Sequence, residues 1–443
     1  HSGSGANLTS LPAAQLTGSL PAISGANLTG IAATDNVRTG ILDVAGVSTF
    51  RNTMNVGAAV TISESGIEAS GIGITVANIN GTQIGGRRNL IINGAMQVAQ
   101  RGSSSDVSST AYGSVDRFQL EVAGLDNAVT MAQVDVSSGT SPYTEGFRKA
   151  LKLTNGDQTS VGNTDTMRIL YKFEAQDIAQ SGWNHKSSSS FITLSFWIKS
   201  SVAQSFKVSL ISWDGSARTF VFDTGSLSAD TWTKVTKTIP GDSNITVDND
   251  TNLGFQISFH QFLGTDYTSS GYTENSWTAY QNPQTPDQTN TWYDTNDATY
   301  ELTGVQLEVG SQATPFEHRS FGEELQLCKR YFNMYSRTHA DSGDESIIAN
   351  GFYWSSSRFM APLRFDVPMR TNSWSLYKVV GSAYFKIYNN GGGSHQVNDF
   401  SLNGQSHVQS AHLNIDSGLS SSGDAGVFFT IDTAARIGFD AEL

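Results

Sequence analysis

Six aromatic residues, Tyr267, Tyr272, Trp277, Tyr280, Trp292 and Tyr293, fall in one polar stretch. Around them stand Asn275, Gln281, Asn282, Gln284, Asp287 and Asn290, and no Lys or Arg occurs between 267 and 299. Flat indole and phenol rings stack on the C–H faces of sugars, and amides and carboxylates bond their hydroxyls, so this is the chemistry of a neutral saccharide site. The same rings could instead staple a long loop to the fold. A second set follows near the end of the sequence: Phe352-Tyr353-Trp354, Trp374, Tyr377, Tyr384 and Tyr388, then an Asn389-Asn390-Gly391-Gly392-Gly393-Ser394 turn. Its alternative role is a small core with one hairpin. The nominated glycan contacts are Tyr353, Trp354, Trp374 and Tyr388 from the second set, and Trp277, Tyr280, Trp292 and Tyr293 from the first. The glycine run is no phosphate loop, because neither a helical pattern nor Lys-Ser/Thr follows it.

No Gly-x-Ser-x-Gly or His-Glu-x-x-His motif occurs, so no catalytic residue is nominated and binding without turnover is expected. Glycosidase carboxylates need only lie ~5–9.5 Å apart in space, which leaves polysaccharide cleavage as the alternative reading. His395, His407 and His412 cluster in sequence, but 407 and 412 would face opposite sides of one strand. Only a threefold axis could gather three copies of one histidine; no metal and no cofactor are expected. Cys328 is the single cysteine, which excludes an intrachain disulfide and any Cys-rich zinc module. Its place on an apolar stripe reads as a buried small hydrophobe.

These residues need a β-rich frame. The chain has 443 residues, room for several domains, and is 15% charged against ~25% in an average soluble protein. Aromatics at 10% and 43 glycines against 9 prolines read as strands and turns rather than disorder. A net charge of −13 argues against a nucleic-acid partner or an anionic membrane surface. No apolar run reaches 18 residues, so no membrane insertion is expected.

Residues 1–5 read as a cloning scar or truncation edge. Over 6–86, Gly5-Ala6-Asn7-Leu8-Thr9 recurs as Gly25-Ala26-Asn27-Leu28-Thr29, and Val60, Ile62, Ile67, Ile72, Ile74 and Val76 alternate with small or polar residues. Such units bury nothing alone, so an intertwined β shaft of several chains is expected there, with a flexible linker as the alternative. Over 87–318, about eight short strands broken by Gly/Asn/Asp turns suggest a jelly-roll sandwich, with 264–298 as an inserted loop. Residues 319–336 predict a helical connector: Ser320 and Glu323 have capping-box spacing, and Leu325, Cys328, Phe332 and Tyr335 would share one face. Residues 337–443 form a small β tip whose last strand, near Ile437 and Phe439, should be tied into the structure. The whole is an all-β, elongated trimeric fibre.

The run Asn89-Leu90-Ile91-Ile92-Asn93-Gly94-Ala95-Met96-Gln97 resembles the distal part of bacteriophage tail fibres. So do Val115-Asp116-Arg117-Phe118, Phe196-Trp197-Ile198-Lys199-Ser200, Gly304-Val305-Gln306-Leu307-Glu308-Val309-Gly310 and Cys328-Lys329-Arg330-Tyr331-Phe332. The upstream Ala-Asn-Leu-Thr-Gly units are similar to shaft repeats of fibres from viruses of marine bacteria. The resemblance implies a homotrimeric receptor-binding fibre of the virion, acting outside the cell. Its jelly roll would be similar to carbohydrate-binding modules. The implied partners are a host-surface glycan or lipopolysaccharide and, through an N-terminal part, other tail proteins. Related modules place an acid after Asn-Gly where calcium binds; Asn93-Gly94 is followed by Ala95-Met96-Gln97, so that ion does not carry over. Weaker alternatives are a secreted lectin or adhesin, or the fibre of a contractile injection particle. With one cysteine per chain, adding reductant should leave the melting temperature unchanged in differential scanning calorimetry.

Overall fold

The computed structural model describes residues 88–337, 345–404, 406–416 and 420–443, with short strands between 54 and 83. The chain divides into two compact units, His1–Thr75 and Val76–Leu443. In the first, β1 (Met54–Val56), β2 (Val60–Ser63) and β3 (Gly66–Ala69) pair antiparallel. In the second, β4 (Asn78–Ile79) pairs with β5 (Thr82–Gln83). The rest of the 6–86 segment expected as a shaft, and residues 1–5, lie outside the described residues.

A two-sheet antiparallel sandwich follows. One sheet has the order β16 (Trp277–Ala279), β13 (Arg218–Asp223), β12 (Lys207–Ser212), β15 (Leu253–Leu263), β10 (Thr166–Glu174), β7 (Phe118–Ala123). The other runs β14 (Thr233–Pro240), β11 (Phe191–Ser200), β17 (Thr299–Val309), β9 (Lys149–Thr154), β8 (Val129–Asp135), β6 (Ser104–Val107). Period-two patterning sets the faces: β7 buries Phe118, Leu120 and Val122 and leaves Gln119, Glu121 and Ala123 less covered. The sheets meet through aromatic pairs such as Phe196 with Phe259 and Phe206 with Tyr300, both at 5.1 Å between ring centres. Leu90–Ile92 is buried, as its apolar run suggests, but forms no strand.

The capping box at Ser320 and Glu323 is present and opens α3 (Phe321–Lys329). Two shorter helices, α1 (Ser141–Thr144) and α2 (Ala175–Ala179), fill sandwich connections. The helix is shorter than the expected connector, since Phe332 and Tyr335 belong to β18 (Phe332–Arg337), which pairs with β27 (Arg436–Asp440). Burying Phe332 against a strand outweighs continuing the helical stripe. A three-stranded sheet, β18-β27-β21 (Ser375–Val379), faces one of seven strands. That sheet runs β23 (Ser394–Val397), β22 (Phe385–Asn389), β26 (Ala425–Thr430), β19 (Ser346–Ser355), β20 (Arg358–Arg364), β25 (Ser410–Asp416), β24 (Ser401–Leu402). Their shared core includes Tyr353, Phe359, Trp374, Phe385, Phe428 and Phe439.

The sandwich and these C-terminal sheets are joined by a buried polar cluster. Arg117 is fully enclosed and pairs with the Glu442 carboxylate; its guanidinium lies 3.4 Å from the centre of the Tyr331 ring. Burial is the largest single effect and opposes the charge, but Glu442 together with Tyr171, Tyr331 and Tyr112 more than offsets it, so Arg117 holds its proton more firmly than a solvated arginine. Beside it, Arg330 donates to both oxygens of Glu174 at 2.7 Å, and the Tyr331 hydroxyl donates to the same carboxylate. Burial alone would raise the Glu174 pKa, but the bonds from Arg330 and Tyr331 and the charge of Arg330 hold it below the ordinary value. Arg101 lies 3.5 Å over the Phe332 ring and pairs with Asp440 at 2.8 Å. Lys172 and Tyr112 both donate to Leu443 O. Replacing Arg117 with Ala would leave Glu442 buried and unpaired, at a cost of about 3–5 kcal/mol. In a double-mutant cycle by urea denaturation, R117A and E442A should be strongly non-additive; additive losses would contradict the pairing.

Candidate functional site

The inserted stretch after β15 keeps most of its rings inside. Trp292 and Tyr293 have no exposed surface, and Trp277 is buried. Trp277 Nε1 donates to Pro240 O at 2.7 Å and Trp292 Nε1 to Thr299 O at 3.0 Å. Tyr293 stacks on Phe262 at 4.3 Å, and burial followed by the nearby Asp165 carboxylate raises its pKa. These three rings fasten the insertion to the sandwich. Tyr280 is half-buried, edge-on to Trp213 at 4.9 Å. A shallow cavity of about 260 Å³ lies next to it, lined by Ser269, Tyr272, Thr273, Thr278, Gln281 and Pro283 among others.

In the C-terminal sheets, Tyr353 and Trp374 are also core residues: Tyr353 packs on Phe359, and Trp374 on Phe365 and Phe439. Tyr388 is half-buried, donating to Glu345 Oε1 at 2.9 Å and accepting from Lys386 Nζ at 2.7 Å. Trp354 differs from all of these. It is 64% exposed, and of the eight tryptophans, all described, it alone is exposed. The alternation of β19 sends Tyr353 inward and Phe352 and Trp354 outward. Phe352 is 41% exposed and Ile347, earlier on the strand, 67%. Three of the five large exposed hydrophobic residues among those described thus lie on one strand. Next to them on β26 and β22, Phe429 and Tyr388 meet edge to face at 5.2 Å.

Of this row the sequence nominates Trp354 alone; it places Phe352 in the second aromatic set without nominating it and does not single out Ile347. The missed signal is Asn350-x-Phe352-x-Trp354, where period-two spacing puts two apolar rings on the face opposite buried Tyr353.

A cavity of about 710 Å³ opens where the sandwich, α3 and the C-terminal sheets meet. Gln97, Gln133, Phe321, Leu325, Tyr335 and Ile347 are among its walls. Ile347 thus belongs both to the cleft and to the outward row of β19.

The motifs behind the tail-fibre resemblance serve packing. A Cβ on Gly94 would stand 2.1 Å from Val305 O, so only glycine lets this turn seat against β17. Asn93, at φ 62°, donates through Nδ2 to Val98 O and Asp116 O, and its N–H donates to Glu324 Oε1 at 2.5 Å. His412 lies on β25 and His407 just before it. Among the described residues, no group of three or more His, Cys, Asp or Glu side chains is disposed to hold a metal ion. Among them also, no helix is long and apolar enough to cross a membrane.

No protein-family model matches this chain. No curated protein matches it either. Among solved structures it is similar to the enzymatically active domain of tailspike protein 4 of bacteriophage CBA120, with 9% identity over 50% of this chain and a TM-score of 0.26. This chain spans 21% of that tailspike chain. A putative sugar-binding protein from Bacteroides thetaiotaomicron is similar at 12% identity over 50% of this chain and all of that one, TM-score 0.27. A xylan-binding domain from Paenibacillus barcinonensis is similar at 8% identity over 52% of this chain and all of that one, TM-score 0.25. Scores of this size assign no ligand.

The burial contrast generates a direct test. Trp292→Ala should cost about 3–5 kcal/mol by removing a fully enclosed ring. Trp354→Ala should change stability by less than about 0.5 kcal/mol, as for other surface sites. Chemical denaturation of the two variants measures both.

Proposed function

We propose that this chain is a glycan-binding attachment protein of a bacteriophage particle, a receptor-binding tail fibre that works as a homotrimer outside the cell. The observation that carries the reading is the outward β19 row, where Trp354 presents its ring to solvent while most tryptophans of the chain are buried or fastened in loops. A flat exposed ring amid amides and hydroxyls is suited to a sugar face. Its partners are a host-surface glycan or lipopolysaccharide and, through the N-terminal part, other tail proteins. Trimerisation accounts for the repeated apolar units upstream of residue 86, and closed symmetry leaves no free strand edge. It also multiplies weak sites: a millimolar contact is about −4 kcal/mol, and linked sites raise avidity by ~10²–10⁴.

A second reading, a polysaccharide-cleaving fibre, is favoured by one group. The Asp214 carboxyl is raised above the ordinary aspartate value by burial and by the neighbouring Asp248 and Asp250 charges. An upward shift is the direction a general acid requires, here opposed by the bond from Asp248 N–H. Release of reducing ends from host polysaccharide, abolished by Asp214→Asn, would establish cleavage.

The binding reading predicts a trimer of three 47.5 kDa chains in light scattering. Trp354→Ala trimers should lose host-cell binding while keeping their melting temperature. Wild-type binding should change little between low and high salt, because a neutral glycan engages few ion pairs. Unimpaired binding by folded Trp354→Ala trimers would remove this site assignment.

A further inference from the structure

We propose that the site is built for an extended polysaccharide chain, with one subsite on Trp354 and a second in the cleft between the sandwich and the C-terminal sheets. The inference rests on the glycan reading above and adds the form of the ligand. Three observations meet here.

The first is continuity. Ile347, 67% exposed, lines the 710 Å³ cleft and begins the outward row that continues through Phe352 to Trp354. The strand rises roughly 20 Å from Ile347 to Trp354, a span suited to several sugar units rather than one. The cleft itself has the volume of an ordinary small-ligand pocket.

The second is the chemistry of the lining. Phe321, the first residue of α3, is 55% exposed and offers a second ring at the far end. Gln97, Ser336 and Ser346 also line the cleft. Amides and hydroxyls beside a ring are the recurring components of saccharide recognition.

The third is charge. The cations bordering the row and cleft are matched by acids: Lys329 by Asp366 at 3.1 Å, Lys386 by Glu345 at 3.2 Å, and Arg358 by Asp416 at 3.8 Å. The surface therefore offers little net charge to an anionic ligand. A neutral polymer with alternating C–H faces and hydroxyls fits it, and a phosphorylated or strongly acidic one does not.

The test uses the full chain and size-fractionated ladders of dextran, mannan and β-1,4-glucan, from two to ten units, in titration calorimetry. With a bound ladder, wild-type affinity should rise at least tenfold with length and level off once both subsites are filled. Phe321→Ala should reduce the affinity for the longest fragments to that for the short ones and leave the short ones unchanged. Trp354→Ala should weaken all lengths. Ile347→Ala, at the edge of the cleft where the outward row begins, should lower long-fragment affinity less than Phe321→Ala. Length-independent affinity, or long-fragment binding untouched by Phe321→Ala, would overturn the two-subsite arrangement while leaving glycan binding at Trp354 intact. Failure of the wild type to bind any ladder would overturn the glycan reading beneath it.

Discussion

A buried guanidinium is the constraint on which the rest of the second unit depends. Arg117 has no surface of its own, so its charge persists only while Glu442 pairs with it and Tyr331 covers it. Those partners come from the far end of the chain and from the turn after α3. The sandwich therefore completes its own electrostatics only when the last residues are docked. Arg101 with Asp440, Arg330 with Glu174, and Lys172 with Leu443 O extend the same dependence across the junction. The two parts are held together by charges on one side that are neutralised from the other.

The core of the C-terminal sheets, in turn, bears on where the outward row can exist. The C-terminal sheets share a core rich in rings, with Trp374, Phe365 and Phe439 in mutual contact. With this interior filled, β19 has no need of Phe352 or Trp354 for stability. Exposed apolar rings concentrated on one strand are a cost to solubility, and such patches mark interaction surfaces.

Much of the architecture was legible in the sequence. Strands at Phe118–Ala123, Phe191–Ser200, Thr233–Pro240, Leu253–Leu263 and Thr299–Val309 follow runs of β-branched and aromatic residues. The cap of α3 followed from Ser320 and Glu323. The end of that helix did not, because Phe332 has a strand partner, Asp440, more than a hundred residues away. The site was legible only in part. Aromatic density marks rings without telling which face solvent: Trp277, Trp292, Tyr293, Tyr353 and Trp374 proved to be packing residues. For Trp277, Trp292 and Tyr293 the nomination rested on neighbouring amides, yet Gln284, for one, accepts from Arg168 within the fold. The tail-fibre motifs show the same separation, since Asn93, Arg117 and Tyr331 hold the junction together. A resemblance carried by such residues describes how the chain is assembled and leaves its ligand to the surface.

The central claim is that ligand lies on the outward face of β19, and Trp354 is itself a reporter of it. As the exposed tryptophan among eight, it should dominate the fluorescence that acrylamide quenches most readily. Addition of host-cell polysaccharide to the protein should shield it and lower the quenching constant. An unchanged quenching constant under conditions where the polysaccharide is demonstrably bound would contradict the account.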